Sequence, residues 1–230
     1  MSKTRICVSV YGENEENLAE NIRRGFEKGA DLAEVRLDLS GYNSVESLAE
    51  KLRPFADRLV LTLRPMGEGG KSSLPVEERV KILRRLADIR PAYIDLELST
   101  LKQYPADEFR RAGVKVIASW HSFESTPDDD SLSRLCEECL RHGDVAKVVT
   151  FSTGPRDNIR VISLYTKYPP RRLIAFCMGE QGWITRILSM AADAPIAYAA
   201  LGDAKTAPGQ LTVEEMLMMR ENICRGGGGG

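Results

Sequence analysis

Lys147 stands in the run V-A-K-V-V-T-F at 145–151, a stretch apolar enough to form a buried strand. A lysine there has few routes to water, and desolvation lowers an amine pKa by up to about 3–5 units. At an ordinary value near ~10.4 about one amine in 2,500 is neutral at pH 7, whereas a fall of about three units makes roughly a quarter of them nucleophilic. Such a lysine is a candidate for imine formation with a carbonyl compound. The competing role is structural, an ion pair with Glu34, Asp95 or Glu97. His121, in A-S-W-H-S-F, ends another strand-like run and has the residue type for general acid/base work near neutral pH. The other histidine, His142, precedes Gly143 at the end of a helical pattern, where a cation complements the dipole, and carries no chemistry in this reading.

Further polar residues share the spacing of these two. Side chains two apart on a strand point to the same face. Glu34, Arg36 and Asp38 fall on one face of a run, as do Thr62 and Arg64, Asp95 and Glu97, and Ser119 and His121. Parallel strands covered on both sides should read as almost unbroken hydrophobic runs. Each buried charge costs several kcal/mol unless paired, so charges recurring at one level of five strands point to a ligand site. A buried ion-pair network without a ligand is the alternative.

The elements that must position these residues follow from periodicity. Strand-like runs occur at 5–11, 32–39, 58–64, 92–98, 115–123, 145–152, 172–179 and 195–202. Helical patterns lie between and after them, at 14–28, 44–56, 75–89, 100–112, 128–141, 155–168, 182–191 and 212–224. Asn43 with Glu46 and Thr212 with Glu215 have capping-box spacing, and Pro75, Pro127 and Pro155 fall where a first turn accepts a missing N–H. Strand and helix alternate at intervals of roughly 28 residues, which predicts an α/β fold, a single (β/α)8 TIM barrel. A doubly wound sheet would want a phosphate loop after the first strand, and Tyr11-Gly12-Glu13-Asn14 is no such loop. Residues 1–225 are read as the barrel and 226–230, five glycines, as a flexible tail.

Composition narrows the function classes. The 230 residues are 43% hydrophobic and 28% charged, with 32 Lys plus Arg against 33 Asp plus Glu, so the footprint of a nucleic-acid binder is missing. No run approaches the roughly 20 apolar residues of a membrane span, and the N-terminus does not read as a signal peptide, so a cytoplasmic location is expected. Five cysteines do not suggest a disulfide framework. Cys7, Cys177 and Cys224 are read as small apolar residues, and Cys136-x-x-Cys139 as half of a zinc motif without its other half, so no metal is expected.

Five motifs, in order and with suitable gaps, give the chain a resemblance: E-V-R-L-D at 34–38, L-T-L-R-P-M-G-E-G-G at 61–70, S-W-H-S-F at 119–123, M-G-E-Q-G-W-I-T-R at 178–186 and A-P-G-Q at 207–210. Together they resemble type I 3-dehydroquinate dehydratase, a lyase of the shikimate pathway, from the first strand to the last helix. The resemblance implies that Lys147 forms an imine with 3-dehydroquinate, that His121 moves the protons and that Glu68 works with His121, with no cofactor. Ser9, Glu34, Arg36, Arg64, Arg186, Thr206 and Gln210 fall on substrate-binding positions, with Arg186 holding the carboxylate and Asp38 an ion-pair partner. Thr206 departs from the serine of bacterial members, keeping a hydroxyl and adding a methyl group. The family also implies a homodimer, although the apolar residues Met216 to Met219 serve equally well as core. Three glycines around Glu68 suggest a mobile loop that closes over substrate. Two other readings stay open on the residues alone: a class I Schiff-base aldolase, and a catalytically silent barrel that binds a carboxylate.

Overall fold

The computed structural model describes residues 4–202 and 206–226. The elements alternate as β1 (Arg5–Val10), α1 (Glu15–Glu27), β2 (Leu32–Arg36), α2 (Val45–Leu52), β3 (Leu59–Thr62), α3 (Val76–Leu86), β4 (Tyr93–Glu97), α4 (Leu98–Leu101) and α5 (Asp107–Arg111). They continue as β5 (Lys115–His121), α6 (Asp129–His142), β6 (Val145–Phe151), α7 (Pro155–Lys167), β7 (Leu173–Met178), α8 (Ile184–Ala191), β8 (Ile196–Ala200) and α9 (Val213–Gly226). The strands lie in the order β7-β6-β5-β4-β3-β2-β1-β8, every pair parallel, and curl into a barrel closed except between β7 and β8, which share no ladder among the described residues. This is the (β/α)8 barrel that the periodicity predicts.

Strand alternation splits the side chains into two cores. Outward residues such as Ile6, Val8, Val35, Leu61, Ile94, Val116 and Val148 pack beneath the helices. Inward residues Cys7, Leu32, Val60, Ile117, Val145, Ile174 and Ile196 plug the N-terminal half of the barrel. Further along, the inward positions of β1 to β6 turn polar (Ser9, Glu34, Thr62, Asp95, Ser119 and Lys147, each at most 4% exposed), while β7 and β8 present Phe176 and Tyr198. The apolar plug seals one end, so the polar layer faces the C-terminal mouth, where this architecture builds its sites.

Several local expectations change. The helix expected over 100–112 is two short ones, α4 and α5, because Pro105 lacks an N–H and disfavours helical backbone at Tyr104. Asn43 is not a cap; Ser44 caps α2 by accepting from Ser47 N, while Asn43 N and Nδ2 donate to Glu15 at 2.9 and 3.3 Å. Pro75 and Pro127 lie just ahead of their helices, and Asp128 caps α6; only Pro155 begins a helix. The Thr212–Glu215 box is formed in both directions, 2.8 Å from Thr212 N to Glu215 Oε2 and 3.2 Å from Glu215 N to Thr212 Oγ1. Cys7, Cys136, Cys139 and Cys177 are buried, but Cys224 is exposed on the outer face of α9 and is no core residue. In α9 Met216 is core, while Met218 is exposed. Residues 227–230 of the expected tail lie outside the described residues.

Candidate active site

Lys147 sits mid-strand in β6, registered against Ser119 of β5 and Ile174 of β7, so its side chain enters the barrel above the apolar plug. Its Nζ lies 3.0 Å from Asp95 Oδ2 and 3.4 Å from Glu34 Oε1, and 4.0 Å from the centroid of the Tyr198 ring. The ion pairs admitted as a structural role are thus present with two of the three suggested acids, and the amine still lines a cavity.

The acids are themselves held. Glu34 accepts from Ser9 Oγ at 2.8 Å and Thr62 Oγ1 at 3.1 Å. Asp95 Oδ1 accepts from Arg64 Nη2 and from Ser119 Oγ, both at 2.6 Å. Burial opposes the charge on Asp95, but Arg64 and Lys147 outweigh it and hold the carboxyl well below its usual range. Arg64 Nη1 reaches Glu97 Oε1 at 2.7 Å, and Glu97 Oε2 accepts from Arg79 Nη1 at 2.7 Å. Cations and anions therefore alternate from Arg79 through Glu97, Arg64, Asp95 and Lys147 to Glu34, so the network carries no net charge. That balance is what lets six ionic groups remain buried.

Beside the network stands a second unit. His121 Nδ1 lies 3.1 Å from Glu68 Oε2, with the two side chains 10% and 15% exposed. Burial pushes Glu68 up to about 7 against the pull of Arg64. Burial, then Arg64 and Lys147, push the imidazolium of His121 well below its ordinary value. The imidazole is thus neutral at pH 7, and with Nδ1 engaged by Glu68 its Nε2 is the nitrogen left for proton transfer.

The loop that carries Glu68 is a closed turn rather than a loose segment. Pro65 O accepts from Glu68 N at 3.1 Å and Gly70 N at 3.0 Å, and Met66 N donates to Ser72 O at 3.1 Å. Gly69 has φ +76°, and a Cβ on Gly70 would stand 2.0 Å from Arg64 O, so this turn itself demands these two glycines. Asp38 fastens the loop to β2 by accepting from Lys71 N at 3.1 Å while gripping Arg36 Nε and Nη2 at 2.9 and 2.8 Å. The geometry of the turn accounts for Gly69 and Gly70, and Asp38 is the ion-pair partner expected.

Arg186, 2% exposed at the start of α8, is the exception to charge balance. Its guanidinium lies 4.3 Å from the Phe176 ring, Nη2 donates to Pro208 O at 3.3 Å, and Nε has no partner among the described residues. Burial, with no neighbouring carboxylate among the described residues, pushes its pKa down to about 10. Opposite it, Thr206 N and Oγ1 donate to Gln210 Oε1 at 2.9 and 3.2 Å, which leaves the Gln210 NH2 as a donor.

All ten residues that the resemblance gave a catalytic or substrate-binding role (Lys147, His121, Glu68, Ser9, Glu34, Arg36, Arg64, Arg186, Thr206 and Gln210) line one cavity at the C-terminal mouth. Tyr198 and Phe176 line it too, and sequence reasoning passed over them because inward aromatics read as core. Arg79 was missed because Glu77-Glu78-Arg79 reads as a solvated face; its spacing to the buried Leu83 and Leu86 was the available signal. Among the described residues no group of three or more His, Cys, Asp or Glu is placed to hold a metal ion.

The model of the type I 3-dehydroquinase family matches residues 6–223. The 3-dehydroquinate dehydratase of Pyrococcus abyssi is 39% identical over 216 residues, 91% of this chain and 97% of its own length. Among solved structures, 3-dehydroquinate dehydratase from Aquifex aeolicus is 30% identical with a TM-score of 0.81, covering 95% of this chain and 98% of that one. The enzyme from Geobacillus kaustophilus aligns with a TM-score of 0.87 over 97% of this chain and 92% of its own, at 23% identity, which speaks for the fold alone. These likenesses decide among the readings that the residues alone left open: the chain belongs to the type I 3-dehydroquinase family and is an enzyme that dehydrates 3-dehydroquinate.

Proposed function

We propose that the dehydration runs through an imine on Lys147, as a step of aromatic amino acid biosynthesis. The observation that carries this is the placement of Lys147: a buried amine at the closed end of a cavity, with the neutral His121 and, around it, an arginine that has no acid partner among the described residues. The lysine nitrogen, once deprotonated, adds to the ketone carbon, and the former carbonyl oxygen leaves as water to give a protonated imine. That imine is an electron sink, so His121 can take a proton from the adjacent carbon while the electrons move into the C–N bond. The resulting enamine expels the β-hydroxyl, to which His121 returns the proton, and a second water leaves. Water then adds to the imine, releasing the enone product and regenerating the amine. One water is consumed at hydrolysis and two are lost, so the net reaction is loss of one.

Glu68 accepts from Nδ1–H and keeps Nε2 as the base. Arg186 holds the substrate carboxylate, since a planar guanidinium without an acid partner suits both oxygens. The Gln210 NH2 and the Arg36 edge away from Asp38 serve hydroxyl or carboxylate oxygens, and Thr206 orients Gln210. Ser9 and Glu34, bonded to each other, and Arg64, bonded to Asp95 and Glu97, form the polar floor against which the ring rests. No metal or organic cofactor enters these steps. The chain acts as a homodimer in the cytoplasm in this reading. Exposed apolar Ile159, Trp183 and Leu188 around α7 and α8 support the former, and the absence of any helix long and apolar enough to cross a membrane, among the described residues, is compatible with the latter. Neither nucleic acid nor membrane is a partner. The test is turnover: enone absorbance should rise when 3-dehydroquinate meets the wild-type enzyme and stay flat with Lys147→Ala, and turnover by that variant would refute the covalent route.

A further inference from the structure

The chain has three tyrosines buried near or within the barrel, and it treats one of them differently. Tyr165 OH accepts from Ala175 N at 2.8 Å and donates to Ala175 O at 3.2 Å. Tyr93 OH accepts from Arg5 Nη2 at 2.5 Å. Tyr198 is 5% exposed, yet its hydroxyl is shut off from solvent with no hydrogen-bond partner among the described residues. Leaving a buried hydroxyl unmet costs folding free energy, and a phenylalanine would fill the same volume without that cost. The hydroxyl is therefore unexplained by packing.

Its position suggests what meets it. Tyr198 is registered against Cys7 of β1, on the inward face of β8, and lines the same cavity as Lys147 and His121. The Lys147 Nζ stands 4.0 Å from the centroid of its ring. A carbon that becomes bonded to Nζ is brought to the side of this ring, and it carries the ketone oxygen, an acceptor. Burial, reinforced by the Glu34 charge, raises the Tyr198 pKa well above its ordinary value, so the group is a neutral phenol with a proton to donate.

We propose that the Tyr198 hydroxyl is a catalytic group whose partner is the substrate: it donates a hydrogen bond to the ketone oxygen as Lys147 adds, and to the carbinolamine hydroxyl that oxygen becomes. The inference rests on the imine reading for Lys147. No proton need be transferred; the donor stabilises negative charge on oxygen while the C–N bond forms and the C=O π bond breaks. The unmet hydroxyl of the empty enzyme is then a site held ready, at some cost in stability.

Tyr198→Phe removes only the oxygen and keeps the ring beneath Nζ. Three quantities separate the outcomes: the rate at which 3-dehydroquinate becomes trapped on Lys147 when rapid-mixed samples are quenched with borohydride, kcat and KM, and the Tm of the empty enzyme. The expected result is adduct formation slowed about 10–100-fold with a matching fall in kcat, KM changed less than about threefold, and a Tm unchanged or raised. Adduct formation at the wild-type rate overturns the proposal while leaving the imine reading intact. A lowered Tm or a variant that does not fold also overturns it, because the hydroxyl would then be bonded within the fold. Absence of any Lys147 adduct in a wild-type enzyme that turns over overturns both.

Discussion

Replacing Arg186 by methionine should make the empty enzyme more stable and the working enzyme much worse. The side chain is 2% exposed, and among the described residues one nitrogen has no partner and no carboxylate offsets the loss of water. Its pKa falls to about 10, and at ~1.4 kcal/mol per pH unit the fall from the ordinary guanidinium range makes the buried cation about 3 kcal/mol costlier to hold than in the unfolded chain. The sign is that of a cation whose folded pKa is depressed: the cost is fully present at all pH values below about 10 and fades only above it. Methionine keeps an apolar stem over Phe176 and removes the charge, while the bond to Pro208 O, worth about 1 kcal/mol, is lost. The net gain is about 1–2 kcal/mol, or roughly 2–8 °C in Tm for a chain of this size. Binding moves the other way. Two charge-assisted hydrogen bonds to a carboxylate are worth about 1.5–3 kcal/mol each, so KM for 3-dehydroquinate should rise by at least about 100-fold. Calorimetric melts of the empty enzyme and steady-state kinetics on Arg186→Met read the two effects. A lower Tm combined with an unchanged KM would refute the reasoning, because it would mean that the guanidinium serves the fold rather than an anion.

Glu68 carries the pH dependence. With a pKa of about 7, it is a carboxylate that only accepts from His121 Nδ1–H above that pH, whereas below it the acid can donate to Nδ1 and leave the ring proton on Nε2, so kcat/KM should rise through about pH 7. Glu68→Gln should lose that limb and keep one below 6.5, where the imidazole itself protonates; a limb near 7 that persists in the variant contradicts the assignment. Arg79→Met leaves one oxygen of the buried Glu97 carboxylate without its cation and should cost about 3–5 kcal/mol of stability, measured by urea unfolding. A loss below about 1 kcal/mol would show that the alternating network does not depend on its outer end.

How much of this was legible follows from what each residue's neighbours in sequence can say. Inward spacing identified Glu34, Arg64, Asp95, Ser119 and Lys147 because a strand places every second residue on one face; Glu34, Arg64 and Lys147 line one cavity, and Asp95 and Ser119 are bonded to them from behind. Arg186 and Gln210, on α8 and on the loop after β8, have no such period; only the motif resemblance marked them. Arg79 lies on a helix whose first turn is acidic, so its burial against Glu97 depends on a contact between residues 18 apart in the chain. Tyr198 reads as one more core aromatic, since a missing hydrogen-bond partner is a property of three-dimensional surroundings. Around Glu68 composition gave the glycines but not their geometry: a positive φ at Gly69 and a close approach of Gly70 to Arg64 O depend on how the turn folds. The break in the 100–112 helix was legible at Pro105, and the periodicity outvoted it.

The central claim is that Lys147 becomes covalently bound to substrate during turnover. Incubating the full chain with 3-dehydroquinate and borohydride, then mapping the modified peptide by mass spectrometry, tests it most directly. The account predicts inactivation together with a single reduced adduct on Lys147, absent when substrate or borohydride is omitted. Undiminished turnover with no adduct, or an adduct confined to another lysine, would contradict it.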